Sequence, residues 1–168
     1  MLLTNGHIAT LESDNGFGLI GDGVIALEGA QIAWVGASSD LPDVYQNLTR
    51  HDLNGRLVTP ALIDCHTHLV FGGNRAAEFE QRLNGASYEA VAKAGGGIVS
   101  TVTATRAATE DALLVDALTR VDAMIAEGVT LIEVKSGYGL DRNTELKMLR
   151  VARQIAKSRP IEVRTSFL

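Results

Sequence analysis

Along the first 59 residues the apolar runs are short, and turn signals separate them. Leu2-Leu3-Thr4 and Ile8-Ala9-Thr10-Leu11 flank Asn5-Gly6. Val24-Ile25-Ala26-Leu27 and Ile32-Ala33-Trp34-Val35 flank Glu28-Gly29-Ala30-Gln31. His51-Asp52-Leu53 and Arg56-Leu57-Val58 flank Asn54-Gly55. Each pattern predicts a β-hairpin. Gly16 to Gly23 reads as a glycine-rich loop, and 43–48 as a short helix after the Asp40-Leu41-Pro42 turn. These strands carry too few apolar residues to close a core, which predicts an incomplete sheet in need of a partner.

At Thr59-Pro60 the pattern changes. Strands now alternate with helical stretches, the rhythm of a parallel α/β sheet or barrel. Leu62 to Thr67 reads as a buried strand with a polar end, and a helical turn is expected near Glu78 to Leu83. Ser87 is the expected N-cap of a helix that Gly95-Gly96-Gly97 ends. Ile98 to Arg106 is ambiguous: its β-branched residues favour strand, while Ile98, Val102 and Arg106 at spacing four suit a helix. Thr109-Glu110-Asp111 opens a helix with the apolar stripe Leu113, Leu114, Ala117, Leu118, Val121, Met124 and Ile125, and Gly128 stops it. Val129 to Val134 is the second strand and Lys135 to Leu140 a loop. Asn143 to Lys157 is a helix with Leu146, Leu149, Ala152, Ile155 and Ala156 inward, and Ile161 to Leu168 is the third strand. Three strands close no barrel, and a (β/α)8 barrel takes about 250 residues. The expected architecture is therefore the N-terminal part of a larger α/β protein.

Composition narrows the class. The 168 residues are 46% hydrophobic and 21% charged, which is globular. The net charge of −5 is dispersed, which excludes the basic footprint of a nucleic-acid binder. No stretch has the apolar length of a bilayer span, and the N-terminus has no signal-peptide pattern. The lone Cys65 forms no intrachain disulfide and suits a reducing compartment, so a cytoplasmic location is expected.

The candidate chemistry centres on His66-Thr67-His68. By strand parity the two imidazoles share a face, as half of a mononuclear metal site at the C-terminal end of a strand, where α/β active sites lie. As a bare pattern, His-x-His is equally a polar strand end. Asp64 shares that face and is a candidate acceptor for an imidazole. Cys65 points away and reads as a small buried residue. Arg75, beyond Gly72-Gly73-Asn74, is a candidate clamp for a substrate carboxylate, although a solvated loop arginine is the commoner case. Tyr138, between two glycines, is a candidate ligand contact, and Lys135 stands at a strand end where some two-metal hydrolases carry a carboxylated lysine. His7 and His51 read as surface histidines. Gly95-Gly96-Gly97 lacks the Gly-Lys-Ser/Thr of a phosphate-binding loop and reads as a hinge or cap.

Pro60-Ala-Leu-Ile-Asp-Cys-His-Thr-His68 resembles the first barrel strand of the amidohydrolase superfamily. His66-Thr-His-Leu-Val-Phe-Gly-Gly-Asn-Arg-Ala-Ala-Glu-Phe79, Ala94-Gly-Gly-Gly-Ile-Val-Ser-Thr-Val-Thr-Ala-Thr-Arg106, Glu133-Val-Lys-Ser-Gly-Tyr-Gly-Leu140 and Thr144-Glu-Leu-Lys-Met-Leu-Arg150 look like the imidazolonepropionase family within it. Ala61 departs from the glycine that commonly follows the proline. The resemblance implies a metal-dependent TIM-type barrel over residues 60–168, preceded by part of a β-sandwich over 1–59. It implies hydrolytic ring opening of 4-imidazolone-5-propanoate, a carboxylate-bearing small molecule, to N-formimidoyl-L-glutamate. By the same resemblance His66 and His68 are ligands of Zn²⁺ or Fe, and Arg75 and Tyr138 bind substrate. No nucleic-acid or membrane partner is implied, and a homodimer is one expected assembly. The family's further metal ligands, its acidic catalytic residue and another substrate-binding histidine belong to later strands. No catalytic residue is therefore expected within residues 1–168, and this chain alone is expected to be inactive. The competing readings are another amidohydrolase acting on a cyclic amide or amidine, and a non-catalytic barrel scaffold.

Overall fold

The computed structural model describes residues 1–14 and 16–168. These residues form two compact units, Met1–Pro60 and Ala61–Leu168.

In the first unit β1 (Leu2–Ala9), β2 (Leu19–Glu28), β3 (Gln31–Ala37), β4 (Arg50–Asp52) and β5 (Leu57–Val58) form a mixed sheet. β1 runs antiparallel to β2, and β2 antiparallel to β3. The β2–β3 hairpin turns at Gly29-Ala30, with Gly29 at φ 60°. Leu2, Val24 and Ala26 pack beneath Trp34, Leu41, Tyr45 and Leu48.

The other two expected hairpins, at Asn5-Gly6 and Asn54-Gly55, do not form. β1 runs straight through Asn5-Gly6, which forms an irregularity in its pairing with β2, with Asn5 at φ 57°. Asn54-Gly55 does turn the chain, but the strands it joins do not pair with each other. β4 and β5 both pair parallel to β1, with Leu2 opposite Arg50 and His7 opposite Leu57. Asn-Gly supplies the left-handed backbone that a tight turn needs, but the partner of each strand is chosen by the whole sheet. β2 also begins at Leu19, inside the expected Gly16–Gly23 loop, and the expected 43–48 helix is a single 3-10 turn, Asp43–Tyr45.

In the second unit β6 (Leu62–Thr67), β7 (Val129–Lys135) and β8 (Glu162–Ser166) form a parallel sheet in that order. Between β6 and β7 come α1 (Ala76–Leu83), α2 (Tyr88–Lys93), α3 (Ile98–Ala107) and α4 (Glu110–Ala126), and α5 (Arg142–Ser158) joins β7 to β8. Ser87, Thr109 and Asp141 cap α2, α4 and α5 by accepting the N–H groups of Ala90, Ala112 and Thr144. Leu113, Ala117 and Val121 of α4 and Met148, Val151, Ala152 and Ile155 of α5 bury themselves against Ile132 and Val134 of β7. Met148 and Val151 take the inward places expected for Leu146 and Ala156, which are exposed.

The ambiguous 98–106 stretch is helical. Its β-branched residues are accommodated because Thr103 and Thr105 turn their hydroxyls back onto the carbonyls of Val99 and Thr101. Among the described residues β6 pairs with β7 alone and is not buried: Leu62 and Ile63 are 55% and 59% exposed, and Cys65 is exposed as well. An apolar run carries no mark that separates an edge strand from a central one.

Candidate active site

The site is assembled at the C-terminal end of β6 and β7. β6 delivers His66, and His68 follows directly after its last residue; their ring centroids lie 5.4 Å apart. The parallel ladder between β6 and β7 is irregular between Asp64 and Thr67. There the Asp64 carboxylate accepts the backbone N–H of His66 at 2.9 Å. Asp64 thus holds the strand end through its backbone and does not take the expected imidazole proton.

Tyr138 approaches from the loop after β7. Its ring lies 5.4 Å from that of His68 and 5.9 Å from that of Phe71. Gly137 must be glycine: its φ is 131°, and a Cβ there would stand 3.2 Å from Cε1 of His68. The Nδ1 of His68 is buried and is the one buried side-chain polar atom among the described residues with no hydrogen-bond partner. Such an atom is costly unless something occupies it.

α3 forms the platform for the segment after His68. Thr105, fully buried, accepts the N–H of Gly72 at 3.0 Å. One turn earlier Thr101 accepts Nε of Arg75 at 3.0 Å. The segment lies so close to α3 that a Cβ on Gly72 would stand 2.8 Å from the carbonyl oxygen of Ala104. The carboxylate of Glu78 closes the start of α3, accepting Gly97 N–H at 2.8 Å and the Ser100 hydroxyl at 2.6 Å. Those two bonds, the hydroxyl first, hold its carboxyl below the usual range. Gly97 therefore serves as part of a helix cap.

Arg120 of α4 crosses beneath this segment. Its Nη1 donates to the carbonyls of Leu69 and Phe71 at 2.9 and 3.1 Å, and its guanidinium carbon sits 3.6 Å from the centre of the Phe71 ring. Burial pushes its pKa down from the ordinary value, and nearby Asp116 opposes that. A cavity of about 360 Å³ results, lined by Phe71, Gly73, Asn74, Arg75, Thr101, Arg120 and Tyr138. Two guanidiniums, a phenol and no carboxylate make it suited to a small anion with a flat apolar part.

Arg75 and Tyr138 share this cavity, and Tyr138 links it to the histidine pair. Lys135 is committed elsewhere: its Nζ lies 2.5 Å from Glu133, which also accepts the Ser166 hydroxyl. The lysine bond foremost holds the Glu133 carboxyl below its ordinary value. His7 and His51 lie in the first unit and are exposed. Among the described residues no group of three or more His, Cys, Asp or Glu side chains could hold a metal. The donor set here is two imidazoles, one with an unpartnered buried nitrogen. That fits two ligands of a transition metal and falls short of the usual four-coordinate set.

Sequence reading missed Arg120 and Glu145. Arg120 falls three residues after Ala117 and seven after Leu113, so a cation sits beside the apolar stripe of α4. Glu145, in the first turn of α5, is 3% exposed. A first-turn glutamate just after a glycine-rich loop was its available signal.

No family model matches the chain. Individual relatives do, end to end. The chain is 77% identical over all of its 168 residues to a protein named imidazolonepropionase from Roseobacter denitrificans, and 63% identical over 167 residues to one from a Ruegeria species. It spans 42% and 41% of those relatives' lengths. Among solved structures it resembles guanine deaminase from C. acetobutylicum with bound guanine (TM-score 0.58, 19% identity) and 5-methylcytosine deaminase from Klebsiella pneumoniae (0.62, 16%). A mutant of the atrazine chlorohydrolase TrzN from Arthrobacter aurescens, complexed with zinc and atraton, also matches (0.53, 16%). Each match covers 98% of this chain and 35% of the other, and at these identities the likeness is one of mixed α/β fold.

Proposed function

We propose that this chain supplies part of an imidazolonepropionase, a hydrolase that opens the cyclic amide of 4-imidazolone-5-propanoate with water to give N-formimidoyl-L-glutamate in histidine degradation. The observation that carries this reading is the 77% identity, over the whole chain, to a protein of that name. The cavity supports it independently, because its chemistry suits a small flat ring bearing a carboxylate.

His66 and His68 would hold a zinc or iron ion, which when bound supplies Lewis-acid activation of the carbonyl and of water. This chain's own residues bind and orient. Arg75 spends Nε on Thr101, so its two Nη nitrogens are left to pair with the propanoate carboxylate in a bidentate contact. Tyr138 offers a hydroxyl to the ligand and lays its ring beside His68, which shields that side from water. Arg120 adds positive potential from below while fixing the segment between His68 and Phe71. In this reading Ala61–Leu168 forms the first βα units of a TIM-type barrel and Met1–Pro60 part of a β-sandwich. The remaining ligands and the catalytic acid or base come from further sequence, and the enzyme is cytoplasmic and homodimeric.

The test is an assay of a full-length protein that carries this chain, loaded with Zn²⁺ or Fe²⁺. It should convert 4-imidazolone-5-propanoate to N-formimidoyl-L-glutamate, while residues 1–168 alone should not. Turnover of other cyclic amides or amidines but not this one would favour a different amidohydrolase. Absence of both activity and bound metal would favour a scaffold.

A further inference from the structure

The carboxylate of Glu145 is met by three backbone donors. Oε2 accepts Gly137 N–H at 2.5 Å, and Oε1 accepts Gly139 N–H and Leu140 N–H, both at 2.7 Å. Two of these donors are the residues on either side of Tyr138, so the backbone of that tyrosine is pinned before and after its Cα. The loop has no slack to take up a change. A Cβ on Gly139 would stand 2.8 Å from the backbone nitrogen of Glu145, and Leu140 is held at φ 53°, a left-handed conformation unfavourable for leucine. From the other side Arg106 donates Nε to the carbonyl of Gly139 at 2.7 Å.

Burying a carboxylate is a costly way to stabilise a fold. Here its bonds converge on one short loop whose tyrosine lies between His68 and Phe71 and lines the cavity. The geometry points to Glu145 as a positioning residue, which sets the Tyr138 ring in the substrate cavity beside His68 by fixing the backbone around it. This rests on the reading that Tyr138 contacts substrate. Glu145 itself does not touch the reacting atoms. Its effect passes through Tyr138, and that makes it separable from a general structural role.

The experiment is a double-mutant cycle in the full-length protein, using Glu145→Ala, Glu145→Gln, Tyr138→Ala and their combinations. KM and kcat for 4-imidazolone-5-propanoate are read beside amide hydrogen exchange at Gly137, Gly139 and Leu140. Three charge-assisted bonds are lost in E145A, so KM should rise about tenfold or more with a smaller change in kcat. E145Q should be intermediate, because its one amide oxygen can keep two of the three bonds. With Tyr138→Ala already present, E145A should change KM by less than about twofold. An unaltered KM, or full additivity with Tyr138→Ala, would overturn the proposal. Should E145A fail to fold, the same cycle is read with E145Q. If the wild-type protein does not act on this compound, the substrate reading falls, and the positioning role is judged without turnover. Faster exchange at the three amides and loss of the nuclear Overhauser contact between the Tyr138 and His68 rings in E145Q would support it. Retention of both would refute it.

Discussion

Thr105 and Thr101 stand one turn apart on α3, yet replacing each by valine should have opposite consequences. Thr105 is fully buried, accepts the N–H of Gly72 at 3.0 Å and donates to the carbonyl of Thr101 at 2.8 Å. Valine keeps the shape and removes the acceptor. The Thr101 carbonyl still has its helical partner, so its loss is small. The Gly72 N–H is buried and has nowhere to turn, and an unsatisfied buried donor costs about 1–3 kcal/mol. With a urea m-value of roughly 2 kcal/mol/M, a 2 kcal/mol loss lowers the unfolding midpoint by about 1 M. Thr101→Val instead strands Nε of Arg75, an exposed side chain that water can reach. Its midpoint should move by less than about 0.3 M, while KM of the full-length protein for 4-imidazolone-5-propanoate, the proposed substrate, rises about threefold or more as the guanidinium loses its orientation. Urea unfolding followed by far-UV circular dichroism, with amide exchange at Gly72, separates the two. An unchanged midpoint and an unchanged Gly72 exchange rate in Thr105→Val would refute this account of the platform.

Arg120→Met should lower thermal stability by about 2 kcal/mol through the lost carbonyl and ring contacts, and Arg120→Lys should not rescue it, because an ammonium has no planar fork. Glu78, Glu133 and Asp141 all have folded pKa values below their ordinary ones, for Asp141 chiefly because Thr144 N–H binds it. A depressed carboxyl stabilises the fold above its unfolded pKa, near 4 to 4.5, and that contribution disappears as pH falls through the lower folded value. Stability should therefore drop between pH 5 and about 2, and Glu78→Gln should flatten part of that limb when urea midpoints at pH 7 and pH 3 are compared. In the full-length protein His68→Asn should reduce bound zinc or iron by more than about tenfold, read by elemental analysis, while His7→Asn leaves it unchanged.

Helices α2, α4 and α5 of the second unit were legible because their signals are local, whereas α3, with no side-chain cap and a β-branched run, was not. Ser87 and Thr109 announce their caps, and Gly128 marks a helix end with φ 93°. The parallel pairing of β4 and β5 with β1 was not legible, since nothing near Asn54-Gly55 says which distant strand its neighbours will join. Nor was the exposure of Cys65 and Ile63, which depends on β6 having β7 as its one neighbour among the described residues. His66 and His68 stood out as a closely spaced pair at the polar end of an apolar strand, and Arg75 and Tyr138 as chemically capable residues in glycine-containing loops. Arg120 and Glu145 did not, because a charge that serves the backbone of another segment looks from its own helix like a stray polar residue.

The strand order of the first unit has a kinetic consequence. β1 meets β2 across a short connection, with Ala9 opposite Leu19, but its parallel partners come from far along the chain, Thr4 opposite Asp52 and His7 opposite Leu57. Closing the longer loop spans a little over two doublings of chain length, roughly 1.3 kcal/mol more in loop entropy. The β1–β2–β3 meander should form first, with the far edge of β1 open until β4 and β5 arrive. For that interval β1 offers unpaired N–H and C=O groups along one side, the kind of edge on which chains associate wrongly. Refolding yield should accordingly fall with protein concentration during this step, and the residues that decide it are the two short strands around Asn54-Gly55, which add little to the finished core.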